Sequence, residues 1–359
     1  MKQLLLFRFS AMGDVALLAP VVQAFTTRYP DAGITLVTRQ KFAVFFEQFP
    51  NVRVIGADFE GQHKGFRGLV RLFNALHQLG SFDMIIDAHQ NLRSAVLKSL
   101  FRLAGVPSVT MDKGRAEKKA LTRREAKIRQ RLPHSVERYA RTFDRAGFTL
   151  GLSRSFHFPP VATADDELTR FLARQSIQAK TPWLGIAPFA QHRQKMWPFE
   201  RFEPLLEHLY ARQSVTVFLF GGGPQELAQL ETLQQRFPQV VLVAGQLSLA
   251  AELGLIRQLD GMVCMDSGNM HLAALSGVPV LSIWGATHPD AGFGPWGQGP
   301  ESILQVSTDV LTCRPCSVFG NKPCWRGDLA CLYDISVKAV ATRVQQMLVN
   351  QTNNKPDTH

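Results

Sequence analysis

Along the chain, short apolar runs alternate with longer stretches in which apolar positions recur every three or four residues. QLLLFRF, ITLVT, VRVIGA and FDMIIDA are runs of the first kind, each predicted as a buried strand. Val15, Leu18, Val22 and Phe25 share one face of a helix predicted from Asp14 to about Arg28, with Pro20 expected to kink or restart it. GLVRLFNALHQLG and SAVLKSLFRLAG are clearer helices, each closing on a glycine suited to a left-handed cap. Around 150–164, in LGLSRSFHFPPVATA, the alternation stops, and the tandem prolines predict a domain linker. It restarts with WLGIAPFA, VTVFLFGGG, VVLVAG, GMVCMDSG and VPVLSIWG, separated by helical patterns such as ERFEPLLEHLYAR and AAELGLIRQL. VKAVATRVQQMLV reads as a last amphipathic helix, ahead of a polar tail from Asn350 expected to fray.

Strands separated by helices imply parallel βαβ units, here two doubly wound α/β halves. A length of 359 residues suits two domains. We expect them at 1–160 and 161–349, with 350–359 as tail and the last helix able to pack back on the first domain. Open α/β sheets bind ligands beyond the carboxyl ends of their strands, so two facing halves would place a site in the cleft between them.

Charge changes this picture in one place. The net charge is +11, and nine Lys and Arg from Lys113 to Arg131, opposed only by Glu117 and Glu125, supply +7 of it. Such an excess suits an anionic partner, while the ordinary alternative is a solvated helix face. MKQLLLFRF has no small-residue cleavage site, and no apolar span reaches the ~20 residues that cross a bilayer. The expected location is therefore cytoplasmic. There, Cys313, Cys316, Cys324 and Cys331 are expected as thiols rather than disulfides, and their spacing, wider in the second pair than in a zinc ribbon, leaves zinc open. Cys264 reads as a buried strand thiol.

Three strand-to-helix turns carry candidate chemistry. In FSAMGD, Asp14 opens a helix, where it can cap backbone N–H groups or act as a base kept ionised by the helix dipole. GGGPQE departs from G-x-G-x-x-G at Glu226, which disfavours a dinucleotide site and leaves Glu226 as a ribose ligand or a capping carboxylate. MDSGNMHLAALSGVPVLSIWGATHP places Ser267 and Gly268 at a helix start after Asp266, where free N–H groups favour a phosphate. His271 follows on that helix, as a packed or a functional histidine, and Thr287 offers a hydroxyl at the next turn. In HRQKMWP, Lys195 is placed to reach a diphosphate or to lie on the surface.

FSAMGDVALLAPVV, HRQKMWP and MDSGNMHLAALSGVPVLSIWGATHP resemble, in that order, the ADP-heptose–lipopolysaccharide heptosyltransferases of glycosyltransferase family 9. The resemblance implies a GT-B fold, two Rossmann-like domains facing across a cleft, and inverting transfer from ADP-heptose to a lipopolysaccharide core acceptor at the cytoplasmic membrane face. It implies Asp14 as base; Lys195, Glu226, Asp266, Ser267, Gly268, His271 and Thr287 toward the donor; and Gly13 and Arg93 (in DAHQNLRS) toward an acidic acceptor. Lys118, Lys119, Arg123 and Arg124 fall where the family has a mobile basic region facing the membrane. The partners implied are a nucleotide sugar, an anionic lipid-linked glycan and the membrane surface, with no cofactor. Ala286 and His288 depart from the family's usual residues at the third turn.

The residues support the chemistry without the analogy. Hydrolysis of a glycoside needs two carboxylates, but a nucleotide sugar already carries a good leaving group, so one base can suffice while cations and N–H dipoles take up the leaving charge. No D-x-D motif is present, so no metal is expected in catalysis. One alternative is the same scaffold using another nucleotide sugar for a different surface glycan. A nucleic-acid-binding reading of the basic stretch is disfavoured because KGRAEKKALTRREAKIRQR lacks aromatic residues for base stacking.

Overall fold

The computed structural model describes residues 2–160, 165–175, 177 and 181–354. Residues 161–164 of the predicted linker and 355–359 of the tail lie outside the described residues. The chain divides into two compact units: Met1–Arg115 with Pro133–Pro159, and Ala116–Leu132 with Pro160–His359.

The first unit holds five parallel strands in the order β3-β2-β1-β4-β5. They are β1 (Gln3–Phe7), β2 (Gly33–Thr38), β3 (Val52–Gly56), β4 (Met84–Asp87) and β5 (Ser108–Thr110). β1 pairs with β2 on one side and β4 on the other, and Leu4, Leu5, Leu6 and Phe7, whose side chains alternate between the two faces, are all fully buried. The first helical pattern divides as Pro20 foretells: α1 (Met12–Ala16) stops, and α2 (Ala19–Arg28) restarts with the proline in its first turn. Val15, Leu18, Val22 and Phe25 are all fully buried. α3 (Gly65–His77) and α4 (Leu92–Leu103) follow; Gly105 takes the expected positive φ after α4, while Gly80 lies three residues beyond the end of α3. α6 (Ser135–Arg145) then returns to pack on α2, with Phe143 and Phe25 rings 5.5 Å apart.

The second unit has six parallel strands in the order β11-β10-β9-β6-β7-β8. They are β6 (Trp183–Ala187), β7 (Thr216–Leu219), β8 (Val241–Leu242), β9 (Gly261–Met265), β10 (Val280–Trp284) and β11 (Ile303–Gln305). Every residue of β9 is buried, Cys264 included, and burial pushes that thiol's pKa upward. The helices are α5 (Arg115–Leu121), where the chain crosses between units, α7 (Asp165–Ala173), α8 (Phe202–Tyr210), α9 (Pro224–Arg236), α10 (Leu249–Ile256), α11 (Gly268–Leu275), α12 (Ala330–Tyr333) and α13 (Val337–Asn354).

Three placements differ from the sequence expectation. α13 packs on α8 and β9 of the second unit, burying Val340, Val344 and Leu348 there. Its helical span extends to Asn354, past Asn350, where the tail is expected to begin. The basic segment joins the second unit: Leu121 and Leu132 pack with Ala291, and Leu132 N donates to Asp290 O at 2.8 Å. Among the described residues, no helix is long and apolar enough to cross a membrane.

Candidate active site

In the first unit, β1 leads through a cis Ser10–Ala11 peptide into α1, and Asp14 is the third residue of that helix. Arg8 Nη2 stands 2.6 Å from Asp14 Oδ2; the Arg8 side chain is 6% exposed and that of Asp14 38%. Arg8 also donates to Ala88 O at 2.8 Å and lies 5.6 Å from the centre of the Tyr139 ring. Tyr139 in turn donates its hydroxyl to Asp14 O at 3.0 Å. Burial works against the Arg8 charge, but the attraction of Asp14 prevails and raises its pKa above the usual value. A helix of five residues has a small macrodipole. The counter-charge of Asp14 is thus the buried guanidinium, where the sequence reading credits the dipole. Gly13 is buried in the same turn, its carbonyl accepting from Leu17 N.

The turn after β4 lies alongside. Asp87 is fully buried; it accepts from His89 N at 3.0 Å, Gln90 N at 2.8 Å and Ser94 Oγ at 3.0 Å, and pairs with Lys98 at 2.9 Å. His89 Nδ1 accepts from Phe9 N at 2.9 Å, which leaves the ring proton on Nε2. Burial, helped by Arg8 and Lys113, lowers the His89 pKa to about 3, so the imidazole is neutral. Lys113 Nζ donates to Gln90 O at 3.2 Å. Arg93 is exposed on the first turn of α4, its guanidinium 4.9 Å from the centre of the Phe59 ring. The result is a part-exposed carboxylate beside a neutral imidazole and two cations, an environment suited to a hydroxyl on an anionic molecule.

In the second unit, the candidate donor residues follow the carboxyl ends of β6, β7, β9 and β10, which share one edge of a parallel sheet. Asp266 Oδ2 is 3.0 Å from Lys195 Nζ and accepts from Thr287 Oγ1 at 2.8 Å. Asp266 and Thr287 are buried and Lys195 nearly so. Ser267 is the N-cap of α11, yet its side chain makes no cap hydrogen bond, and its buried Oγ has no protein partner. The leading N–H groups of α11, from Gly268 on, have no carbonyl in the preceding turn to bond. His271 is buried one turn further along the helix. A cation, an orphaned hydroxyl and a helix N-terminus are the kinds of group that bind anions.

Glu226 stands apart from this network, with Oε2 accepting Gly222 N at 2.8 Å; the contact it makes is the capping one. Ala286 N donates to Gln194 O at 3.0 Å, docking the Lys195 turn onto the turn after β10. Gly285 permits that approach, since a Cβ there would sit 2.5 Å from Gln194 O.

The cysteine segment braces the same turn. Fully buried Arg314 donates to Gly285 O at 2.6 Å, Thr287 O at 3.1 Å, Trp284 O at 3.2 Å and Gln305 Oε1 at 2.9 Å, and also bonds Val306 O. Burial lowers its pKa to about 10. Cys316 N and Ser317 N donate to Ala286 O at 3.0 and 3.2 Å. Cys313, Cys316, Cys324 and Cys331 are free thiols lining one small cavity. Among the described residues, no group of three or more Cys, His, Asp or Glu is arranged to hold a metal. His288 caps Asp290 N at 3.1 Å, and burial lowers its pKa.

Of the basic acceptor candidates, Lys118 is buried with Nζ 4.2 Å from the centre of the Phe293 ring, whereas Lys119, Arg123 and Arg124 are exposed. Arg8, His89 and Arg314 were not singled out by sequence. The signals were a charge closing the apolar LLLFRF run and an arginine inside CRPC.

Residues 69–319 match the family model described as glycosyltransferase family 9 (heptosyltransferase). The chain is 22% identical over 299 residues to the lipopolysaccharide core heptosyltransferase OpsX of Haemophilus influenzae, covering 80% of each. Among solved structures, it is similar to a glycosyltransferase family 9 protein of Veillonella parvula, with a TM-score of 0.77, 20% identity and 97% and 98% of the two chains covered. It is also similar to E. coli heptosyltransferase WaaC solved with ADP, with a TM-score of 0.64, 22% identity and 96% and 99% covered. WaaC has likewise been solved with ADP-2-deoxy-2-fluoro heptose. These likenesses establish the two-unit GT-B fold.

Proposed function

Because the chain belongs to glycosyltransferase family 9, the heptosyltransferases, we propose that it transfers heptose from ADP-heptose to a lipopolysaccharide core acceptor at the cytoplasmic face of the inner membrane. The observation that carries the donor half is the Lys195–Asp266–Thr287 network beside the open N-terminus of α11. Lys195 neutralises the diphosphate, the N–H of Gly268 and the hydroxyl of Ser267 bond its oxygens, and Thr287 and Asp266 hold Lys195 in register. His271 orders that turn, and Glu226 offers its second oxygen to the ribose.

In the acceptor half, Asp14 takes the proton from an acceptor hydroxyl. The oxygen attacks the anomeric carbon from the face opposite the diphosphate, the bond from that carbon to the diphosphate oxygen breaks, and ADP leaves with the electron pair. The configuration is inverted. Stabilisation of the leaving charge falls to Lys195 and the N–H dipoles, so the step needs no metal. Arg8 orients the carboxylate, while Gly13, Arg93, Lys119, Arg123 and Arg124 are assigned to the anionic acceptor; Lys118, buried against Phe293, is instead assigned to holding this segment in place. The structure of WaaC with ADP-2-deoxy-2-fluoro heptose supports this choice of sugar.

Calorimetry with ADP, UDP and GDP and their sugars tests the donor. Selective binding of ADP and ADP-heptose is expected. Preference for UDP or GDP would move the enzyme to another surface glycan, and loss of ADP binding in Lys195→Met is the required control.

A further inference from the structure

The basic segment Ala116–Leu132 and the cysteine loop meet through aromatic rings. Lys118 Nζ lies 4.2 Å from the centre of Phe293, whose ring is 5.9 Å from that of Phe319. The guanidinium of Arg124 lies 4.5 Å from the centre of Trp325. Phe319 is nevertheless 55% exposed and Trp325 49%. Two exposed aromatic rings are unremarkable in isolation. These two are different because each connects, directly or through Phe293, to a segment with seven Lys and Arg against two Glu.

We infer that Phe319 and Trp325 are interfacial anchors, and that this surface of the second unit seats on a bilayer of anionic phospholipid. Aromatic side chains with a wet edge settle at the headgroup level of a membrane. Exposed cations such as Lys119 and Arg123 draw the surface to anionic lipid, each at roughly 1 kcal/mol. Neither contribution suffices alone: a basic patch binds any polyanion, and two rings on a neutral face bind weakly. Together they select a surface that is anionic outside and apolar beneath. A polyanion without bases, such as polyphosphate, offers nothing for the rings, and a single-stranded nucleic acid, whose bases can stack on them, is the competitor that the RNA assay below tests. The inference rests on the membrane-face reading above and names the residues that make contact.

The full chain should sediment with vesicles of phosphatidylcholine containing phosphatidylglycerol, and not with phosphatidylcholine alone. Phe319→Ser/Trp325→Ser should lose at least tenfold in vesicle affinity while keeping its melting temperature and its transfer to a delipidated, water-soluble acceptor. Brominated lipid should quench the fluorescence of the wild type more than that of Trp325→Phe. Equal vesicle binding by wild type and double variant, or equal quenching, would overturn the inference. So would saturable binding to a short RNA, lost in the double variant, without vesicle binding. Transfer to the soluble acceptor tests the enzymatic reading separately, so either can fail while the other stands.

Discussion

Asp14→Asn is the substitution that separates base from bystander. General base catalysis is worth roughly 10²–10⁴ in rate, or about 3–5 kcal/mol of barrier at ~1.4 kcal/mol per tenfold. The geometry decides which variant to make. Arg8 is buried against Asp14, and stripping one partner from a buried pair costs about 3–5 kcal/mol. The 38% exposure of Asp14 discounts that to about 2 kcal/mol for alanine. An asparagine amide oxygen still accepts from Arg8 Nη2, so its cost is about 1 kcal/mol, or some 2–4 °C of melting temperature in a domain of this size. ADP release with soluble acceptor should then fall at least about a hundredfold in kcat. The dissociation constant for ADP should stay within about twofold, because the donor residues sit in the other unit. A kcat within tenfold of wild type would refute Asp14 as base. So would a loss of ADP affinity equal to the loss of rate.

Thr287→Val removes the 2.8 Å bond to Asp266 while keeping its volume. At about 1.5–3 kcal/mol for a bond to a charged group, donor KM should rise tenfold or more, with a smaller change in kcat, in steady-state assays. Gly285→Ala adds a methyl 2.5 Å from Gln194 O and 2.8 Å from Leu332. It should cost about 1–3 kcal/mol in thermal unfolding and raise donor KM by displacing Lys195. His89 is held neutral, with a pKa of about 3 against 6.5 in the unfolded chain. As pH falls below 6.5, the unfolded chain binds a proton that the folded chain refuses, so stability is lost at up to about 1.4 kcal/mol per pH unit. His89→Asn, whose amide oxygen can accept from Phe9 N, should flatten that slope by about one proton in urea titrations between pH 6 and 4.

The sequence spoke most clearly where burial was two-sided. Strands such as LLLF and GMVCM pack between neighbours and must be continuously apolar, so their existence was legible. β5 and β11 were not: each has three residues with only part-buried or exposed side chains, leaving no apolar run to notice. Lys195, Asp266 and Thr287 could each be suspected from small-residue turns, yet their convergence depends on which strand ends are neighbours, a property of sheet order. Arg8 and His89 were missed for a related reason. Their roles arise from contacts eighty residues apart in sequence, Arg8 with Ala88 and His89 with Phe9, which no local pattern encodes. The docking of 116–132 escaped notice because charge dominates its composition, while apolar residues such as Leu121 and Leu132, which make contact with Ala291, are few and scattered in it.

That docking sets an order of manufacture. Ala116–Leu132 leaves the ribosome early, but the surfaces that receive it, around Asp290, Phe293 and the carbonyls of Cys313 and Pro315, are translated up to about 200 residues later. At ~5–20 residues per second the interval is about 10–40 s. Throughout it, a segment of net charge +5 waits in the nascent chain with Leu121 and Leu132 uncovered. A fragment begun at the linker would never receive it at all, and would present the bare receiving surface to its neighbours. The two halves of this enzyme are thus unequal as products of translation: the first can complete its sheet with Thr110, while the second must recruit a piece of chain made long before its own first strand.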